Sequence, residues 1–250
     1  IDLGNWLYTI SDKNPPIKTH PYLNSSLKLI KEFLKENNQI SLVDLGCLEG
    51  GYTIEFAKAG INSLGIDVRE SNIQACNYCQ SIIKLPNLRF VKDDVLNIRN
   101  YGKFDVSFCS GLLYHLNKPI SFLKDLSHVT NKIVIIQTHF STTDDSPDLI
   151  NKYNLSELTE NESVPGRWAI EYANQSEHKK REKHRWSSWD NDSSFWIQKE
   201  YLIEEIKKSG FELVMEQYDN LHDIAETWQT AITKTITEVH LLESKQTSYT

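Results

Sequence analysis

Between Ser41 and His139 the chain alternates short, β-rich apolar runs with longer stretches of helical period. This is the pattern of an α/β fold, a parallel sheet flanked by helices. Strands are expected at 41–46, 61–67, 88–94, 104–110 and 132–139, with helices at about 51–59, 71–84 and 117–129. The run IVII in the fifth strand is continuous rather than alternating, as in a central strand covered on both faces. Gly60 fits a helix C-cap and Pro86 stops the second helix. After His139 the pattern breaks, and residues 140–195 are polar, tryptophan-rich and without clear period. A helix at about 198–209 ends at Gly210, and 211–219 and 230–243 read as two late strands with a short connection, an antiparallel hairpin ending the sheet. The expected organisation is an N-terminal lid and first helix over 1–40, then one domain over 41–250 with 140–195 inserted after the fifth strand.

Composition narrows the function classes. The chain's 250 residues are enough for a full core, and its net charge of −7 weighs against nucleic acid as partner, since that needs a clustered positive surface. No apolar run is long enough to span a bilayer and no leader pattern is read, so the expectation is a cytoplasmic chain. The sequence opens on Ile1 rather than Met, which leads us to expect natural residues ahead of it. Cys47, Cys76, Cys79 and Cys109 fall mostly in expected core elements, which suits reduced thiols. Cys76-x-x-Cys79 has the spacing of half a zinc site, but no second pair completes it, so it reads as structural.

The strand ends carry the chemistry. In an open parallel sheet ligands gather at the carboxyl ends of strands. Here those ends hold Asp44, Gly46, Cys47, Leu48, Glu49, Gly50 and Gly51 after the first strand, Asp67 and Val68 after the second, Asp93, Asp94 and Val95 after the third, and Ser110 and Tyr114 in SGLLYH after the fourth. Asp67 lies 17 residues beyond Gly50, the spacing of a carboxylate that accepts both ribose hydroxyls of an adenosine. A pyrophosphate would be disfavoured beside Asp44 and Glu49, whereas the cationic ammonium and sulfonium of S-adenosylmethionine (SAM) suit them. Asp93-Asp94 can read an adenine amino group, and the remaining length barely allows a nicotinamide domain. SAM is therefore the expected cofactor.

DLGCLEGG (44–51), GID (65–67), KDD (92–94) and FDVSFCSGLLYHL (104–116) resemble, in order, the motifs of class I SAM-dependent methyltransferases. The resemblance covers about 40–140 plus the terminal hairpin, and it implies a Rossmann-like seven-stranded sheet in the order 3-2-1-4-5-7-6 with the last strand antiparallel. The family's first motif usually has a glycine where Leu48 stands. Leu48 is expected at negative φ with its side chain turned away from the methionine moiety, in a working but altered cradle.

Methyl transfer from a sulfonium mainly needs alignment of the nucleophile and removal of its proton. The candidate bases are His139 at the end of the fifth strand, His222 in DNLHD with Asp223 beside it, and His115, which alternatively shapes the cofactor wall. Asp144, Asp145, His222 and Asp223 are hard ligands that a metal-assisted route would use, but their spacing does not show convergence and no metal is assigned. The insertion is expected to form a lid and acceptor pocket from Arg167, Trp168, Tyr172, Trp186, Trp189 and Trp196, a mixture of aromatic faces and hydrogen-bonding groups that suits a sugar ring, although the tryptophans alternatively anchor the insertion itself. The basic run 178–185 reads as a solvated helix face, or otherwise as a phosphate attractor. Trp6, Tyr8 and Tyr22 in the N-terminal segment are read as a cover over the cofactor, with padding of the sheet or a dimer contact as the alternative.

The expected activity is methylation of a small polar acceptor, most readily an oxygen of a sugar, glycan precursor or secondary metabolite. LLYHL (112–116) with the aromatic N-terminal segment also resembles the tRNA wobble-uridine carboxymethyltransferases, which use carboxy-SAM and would need a cation such as Arg69, Arg167 or Arg181. A non-catalytic SAM-binding protein is the third class. A homo-oligomer is left open.

Overall fold

The computed structural model describes residues 1–4, 7–8, 17–35, 39–143, 147–172, 178–218 and 238–244. The chain divides into two units, Ile1–Phe108 and Cys109–Thr250, described in turn.

In the first unit, β1 (Asp2–Gly4) and β2 (Leu7–Tyr8) form a small antiparallel pair. Ile1 and Leu3 pack with Ile54, Ala57, Cys79 and Leu88, so these N-terminal side chains fill a helix-facing core. Trp6 lies outside the described residues. Helix α1 (Pro21–Phe33) starts at a proline whose fixed φ suits a first helical turn, and it buries Leu23, Ser26 and Ile30 on one stripe. The strands β3 (Ser41–Leu45), β4 (Asn62–Asp67) and β5 (Leu88–Lys92) alternate with α2 (Gly51–Lys58) and α3 (Glu70–Ile83). A 3-10 turn, Val95–Tyr101, leads to β6 (Phe104–Ser110). Pairing is parallel throughout, with Val43 opposite Leu64, Gly65 opposite Phe90 and Asp44 opposite Phe108. Leu42, Val43 and Leu45 are fully buried, as a strand covered on both faces requires.

In the second unit α4 (Pro119–Val129) leads into β7 (Thr130–Thr138). Glu162 caps α4 from across the sequence: its carboxylate accepts the backbone N–H groups of Ile120 (2.8 Å) and Ser121 (2.9 Å) and the Ser121 hydroxyl. Next come α5 (Pro147–Tyr153), β8 (Thr159–Asn161), β9 (Val164–Ile170), α6 (His178–Arg181), β10 (Ser193–Ile197) and α7 (Lys199–Lys208). The insertion, expected to be without period, instead builds its own antiparallel sheet in the order β10-β9-β8. The last strands are β11 (Phe211–Tyr218) and β12 (Glu238–Ser244), and β12 pairs antiparallel with both β11 and β7. Residues 219–237, including the whole of the expected connection and the first part of the expected last strand, lie outside the described residues.

Among the described residues the main sheet runs in the order β11-β12-β7-β6-β3-β4-β5, in keeping with the order implied by the family resemblance. Ile133, Val134, Ile135 and Ile136 are at most 1% exposed, each such side chain contributing about 1.5–3 kcal/mol by leaving water. No helix among the described residues is long and apolar enough to cross a membrane.

Candidate active site

The first unit holds most of the residues expected to cradle the cofactor. The turn after β3 places Gly46, Leu48 and Gly50 at φ of 71°, 49° and 78°. Leu48 was expected at negative φ and instead takes the left-handed conformation. The reason is the hydrogen bonding around it. Gly46 and Cys47 both donate to the Ile66 carbonyl at 2.9 and 3.0 Å, Gly50 donates to the Cys47 carbonyl at 2.8 Å, and the Leu48 N–H is held by Asp67 Oδ2 at 3.0 Å. Below the turn the thiols of Cys76 and Cys47 donate to the Leu48 carbonyl at 3.2 and 3.8 Å. All four cysteines are free and buried, and burial pushes the Cys47 thiol up, with Cys76 adding to the rise. The turn also rests on Phe90. A Cβ added at Gly50 or at Gly65 would lie 2.6 Å from that ring, so one aromatic side chain fills the space beside both glycines.

Asp67 is 3% exposed and holds more than the turn: Oδ1 accepts the Arg69 N–H at 2.8 Å and the Asn72 amide at 3.1 Å. Three of about four acceptor directions of a carboxylate are thus used. That leaves room for one hydroxyl, where the spacing had suggested both. Burial raises the Asp67 pKa, against the hydrogen bonds from Arg69, Asn72 and Leu48. Asp44, also 3% exposed, accepts a 2.5 Å hydrogen bond from Thr53. Burial pushes its carboxyl up to about 7, Thr53 opposing and Asp67 adding to the rise. Asp93 is taken up locally by Tyr101 (2.5 Å), Asn97 (2.8 Å) and the Asp94 N–H (2.7 Å), and the Tyr101 hydrogen bond holds its pKa low. Asp94 caps the following turn through the Leu96 N–H at 2.9 Å, and Val95 is buried. Val68 is half-buried.

These residues fit SAM on their chemistry. Two buried acids flank a turn of left-handed residues, and a bound ammonium or sulfonium would offset the burial that holds Asp44 protonated. Asp67 keeps an acceptor for a ribose hydroxyl.

The second unit gathers the candidate acceptor chemistry. The Tyr114 ring lies 4.3 Å from His115 and 4.0 Å from His139, and His139 in turn stacks 4.9 Å from Trp196. Trp196 donates its indole N–H to the Tyr114 carbonyl at 3.0 Å, and Tyr153 packs against its ring at 5.6 Å. His115 Nδ1 sits 2.6 Å from Glu171 Oε1, which also accepts the Ser194 hydroxyl at 2.7 Å; Ser188 N–H reaches Oε2 at 3.2 Å. The Ser110 hydroxyl donates to Gln137 at 2.7 Å.

Other expected acceptor residues do different work. Arg167 has no exposed surface, and its guanidinium holds the carbonyls of Thr142 (3.2 Å) and Ser156 (2.9 Å). Trp168 packs on Phe195 and Trp189 gives its carbonyl to Arg181. Trp186 is 77% exposed, so it stands apart from the Tyr114–His139–Trp196 group. Tyr172 donates to the Ser188 carbonyl and lies 4.6 Å beneath Arg181. The basic run is helical only over His178–Arg181, and Arg181 is buried against Asp192 rather than solvated. His222, Asp223, Asp144 and Asp145 lie outside the described residues, among which no three His, Cys, Asp or Glu converge as a metal site. Glu171, Ser194 and Phe90 were not singled out in the sequence. Glu171 sits inside a mixed polar stretch, and nothing local marks it as the partner of a histidine 56 positions earlier.

Comparison with known proteins places this geometry in context. A family model described as a methyltransferase domain matches residues 36–246. A tRNA U34 carboxymethyltransferase of Campylobacter jejuni subsp. doylei is 33% identical over 118 residues, 45% of this chain and 40% of that protein. Its counterpart in Campylobacter fetus subsp. fetus is 32% identical over 133 residues, 52% of this chain and 46% of that protein. The match thus spans less than half the length of these curated relatives. Among solved structures, the N-terminal domain of EvdMO1, in the presence of S-adenosylhomocysteine and D-fucose, superposes with a TM-score of 0.66 at 19% identity, covering 91% of this chain and 84% of that one. Magnesium protoporphyrin IX methyltransferase from Synechocystis PCC 6803, with bound SAM, gives a TM-score of 0.54 at 12% identity over 90% and 80% of the two chains. At these identities the structural likeness shows the fold. The chain belongs to the methyltransferase-domain family.

Proposed function

We propose that the chain transfers the methyl group of SAM to a hydroxyl of a small polar acceptor, such as a sugar, glycan precursor or secondary metabolite. The observation that carries the cofactor half is the pair of buried acids, Asp44 and Asp67, beside the left-handed turn Gly46–Leu48–Gly50. SAM supplies an already activated methyl group. Asp67 accepts a ribose hydroxyl and holds the turn through Leu48, while Asp44 balances the cationic end of the donor. On the acceptor side, Tyr114, His139, Trp196 and Tyr153 offer the aromatic faces that polar rings pack against. Free buried thiols accompany a cytoplasmic location in the same reading.

The second reading, carboxy-SAM as donor and tRNA as acceptor, draws only on relatives named as tRNA U34 carboxymethyltransferases, which match 45% of this chain at 33% identity. Two of its three candidate cations weigh against it, because Arg167 is enclosed and Arg181 is engaged with Asp192 and backbone carbonyls. Native mass spectrometry of the purified chain separates the two donors by mass. Calorimetric titration with SAM is expected to give micromolar binding that weakens at least tenfold (about 1.4 kcal/mol) in Asp67→Asn. A wild-type chain that releases no heat with SAM overturns the proposal. Methylation of a panel of sugars and nucleotide-sugars then tests the acceptor class.

A further inference from the structure

His115 ends the 3-10 turn Leu113–His115, and three parts of the insertion meet it through Glu171. Glu171 follows β9 directly and is itself held in place, its backbone N–H donating to the Asp192 carbonyl at 2.9 Å. Three donors converge on its carboxylate: His115 Nδ1, the Ser194 hydroxyl and the Ser188 N–H. An ionised carboxylate only accepts hydrogen bonds, so the neutral imidazole that answers it carries its proton on Nδ1. The Nε2 atom of His115 is then left with a lone pair.

From this geometry, and resting on the proposed methyl transfer to a hydroxyl, we infer that Glu171 is a positioning residue that fixes His115 as the general base, with Nε2 as the atom that receives the acceptor's proton. The neighbouring groups fit this assignment. His139 is flanked by the Tyr114 and Trp196 rings and serves as an aromatic face. Tyr114 is no base at neutral pH, because burial, with Glu171 adding to it, pushes its hydroxyl up to about 12. Facing His115 are Glu171 from the insertion and Tyr114 on its own turn; His139 stands beyond Tyr114 at the end of β7, and β10 contributes the neutral Ser194. In the transfer, an oxygen lone pair of the acceptor forms the bond to the methyl carbon while the acceptor's O–H proton passes to His115 Nε2. The electron pair of the broken carbon–sulfur bond stays on sulfur, leaving a neutral thioether. The imidazolium is stabilised by the Glu171 carboxylate until its proton passes to solvent.

The test uses the whole chain with 15N-labelled histidine. At about pH 8, where an ordinary imidazole is neutral, long-range proton–nitrogen spectra should show His115 protonated at Nδ1 and bare at Nε2, with His115→Gln supplying the assignment. In Glu171→Gln the Nδ1-protonated tautomer should lose its dominance, because the amide offers a donor as well as an acceptor to the ring. With an acceptor that turns over, kcat should fall at least tenfold in Glu171→Gln while KM stays within about twofold, and Glu171→Asp should restore part of the loss. A wild-type His115 protonated at Nε2, or a tautomer that Glu171→Gln leaves unchanged, overturns the inference. The tautomer is read in the wild type, so a variant that does not fold leaves that arm intact. Absence of SAM binding in the wild type would instead remove the methyl-transfer reading, and the two failures are thereby told apart.

Discussion

Leu48 shows how a residue can keep a conformation that its side chain disfavours. At φ 49° it stands between two glycines of the same hand, and the left-handed region costs a non-glycine residue about 1–2 kcal/mol. The Asp67 carboxylate on its N–H and two thiols on its carbonyl hold it there. The letter alone suggested negative φ because side-chain preference is local, whereas the hydrogen bonds that overrule it come from β4 and α3. A pair of variants reads the sign directly. Leu48→Gly and Leu48→Ala lose nearly the same side chain, but only alanine retains the steric conflict. In urea melts the glycine variant should be the more stable by about 1 kcal/mol, whereas at a negative φ the alanine variant would lead by about 0.5–1 kcal/mol.

At the level of elements, the strands of the main sheet were readable because burial on two faces leaves continuous apolar runs, IVII above all. The insertion was not. Its central strand, VPGRWAI, carries Arg167 with no exposed surface, so a buried position is spelled with a charged letter and the period disappears. Arg167 was consequently read as an acceptor contact, whereas its guanidinium ties down the carbonyls of Thr142 and Ser156. The same insertion steadies α4 through Glu162, which satisfies backbone donors that a helix start leaves without partners. Glu162→Ala should lower stability by about 1–2 kcal/mol, as loss of a cap does, and differential scanning calorimetry at neutral pH would register it. An unchanged melting temperature would mean that α4 does not depend on this contact.

For the whole molecule, four motifs in register identified the fold and the family, because a donor common to many enzymes requires the same strand ends in each. The acceptor was not readable, since the residues proposed to meet it, Tyr114, His139, Tyr153 and Trp196, come from separate turns, helices and strands. Global stability should nevertheless carry the mark of the cradle. The native Asp44 carboxyl keeps its proton to about pH 7, while the unfolded chain releases it near 3.8. Between these values the native state binds more protons, so this contribution is full below about pH 4 and is lost as the pH rises through about 7. Measured against Asp44→Asn, the wild-type melting temperature should therefore decline over that window. Parallel curves for the two chains would show that Asp44 ionises as freely when folded as when unfolded. In the wild type, saturating SAM should reduce the decline by supplying the missing positive charge.

Phe90 backs the turn after β3, its ring filling the room beside Gly50 and Gly65 alike. On the proposed reading, a smaller side chain at this one position in β5 would leave the turn without its backing while every letter of the glycine loop stayed intact.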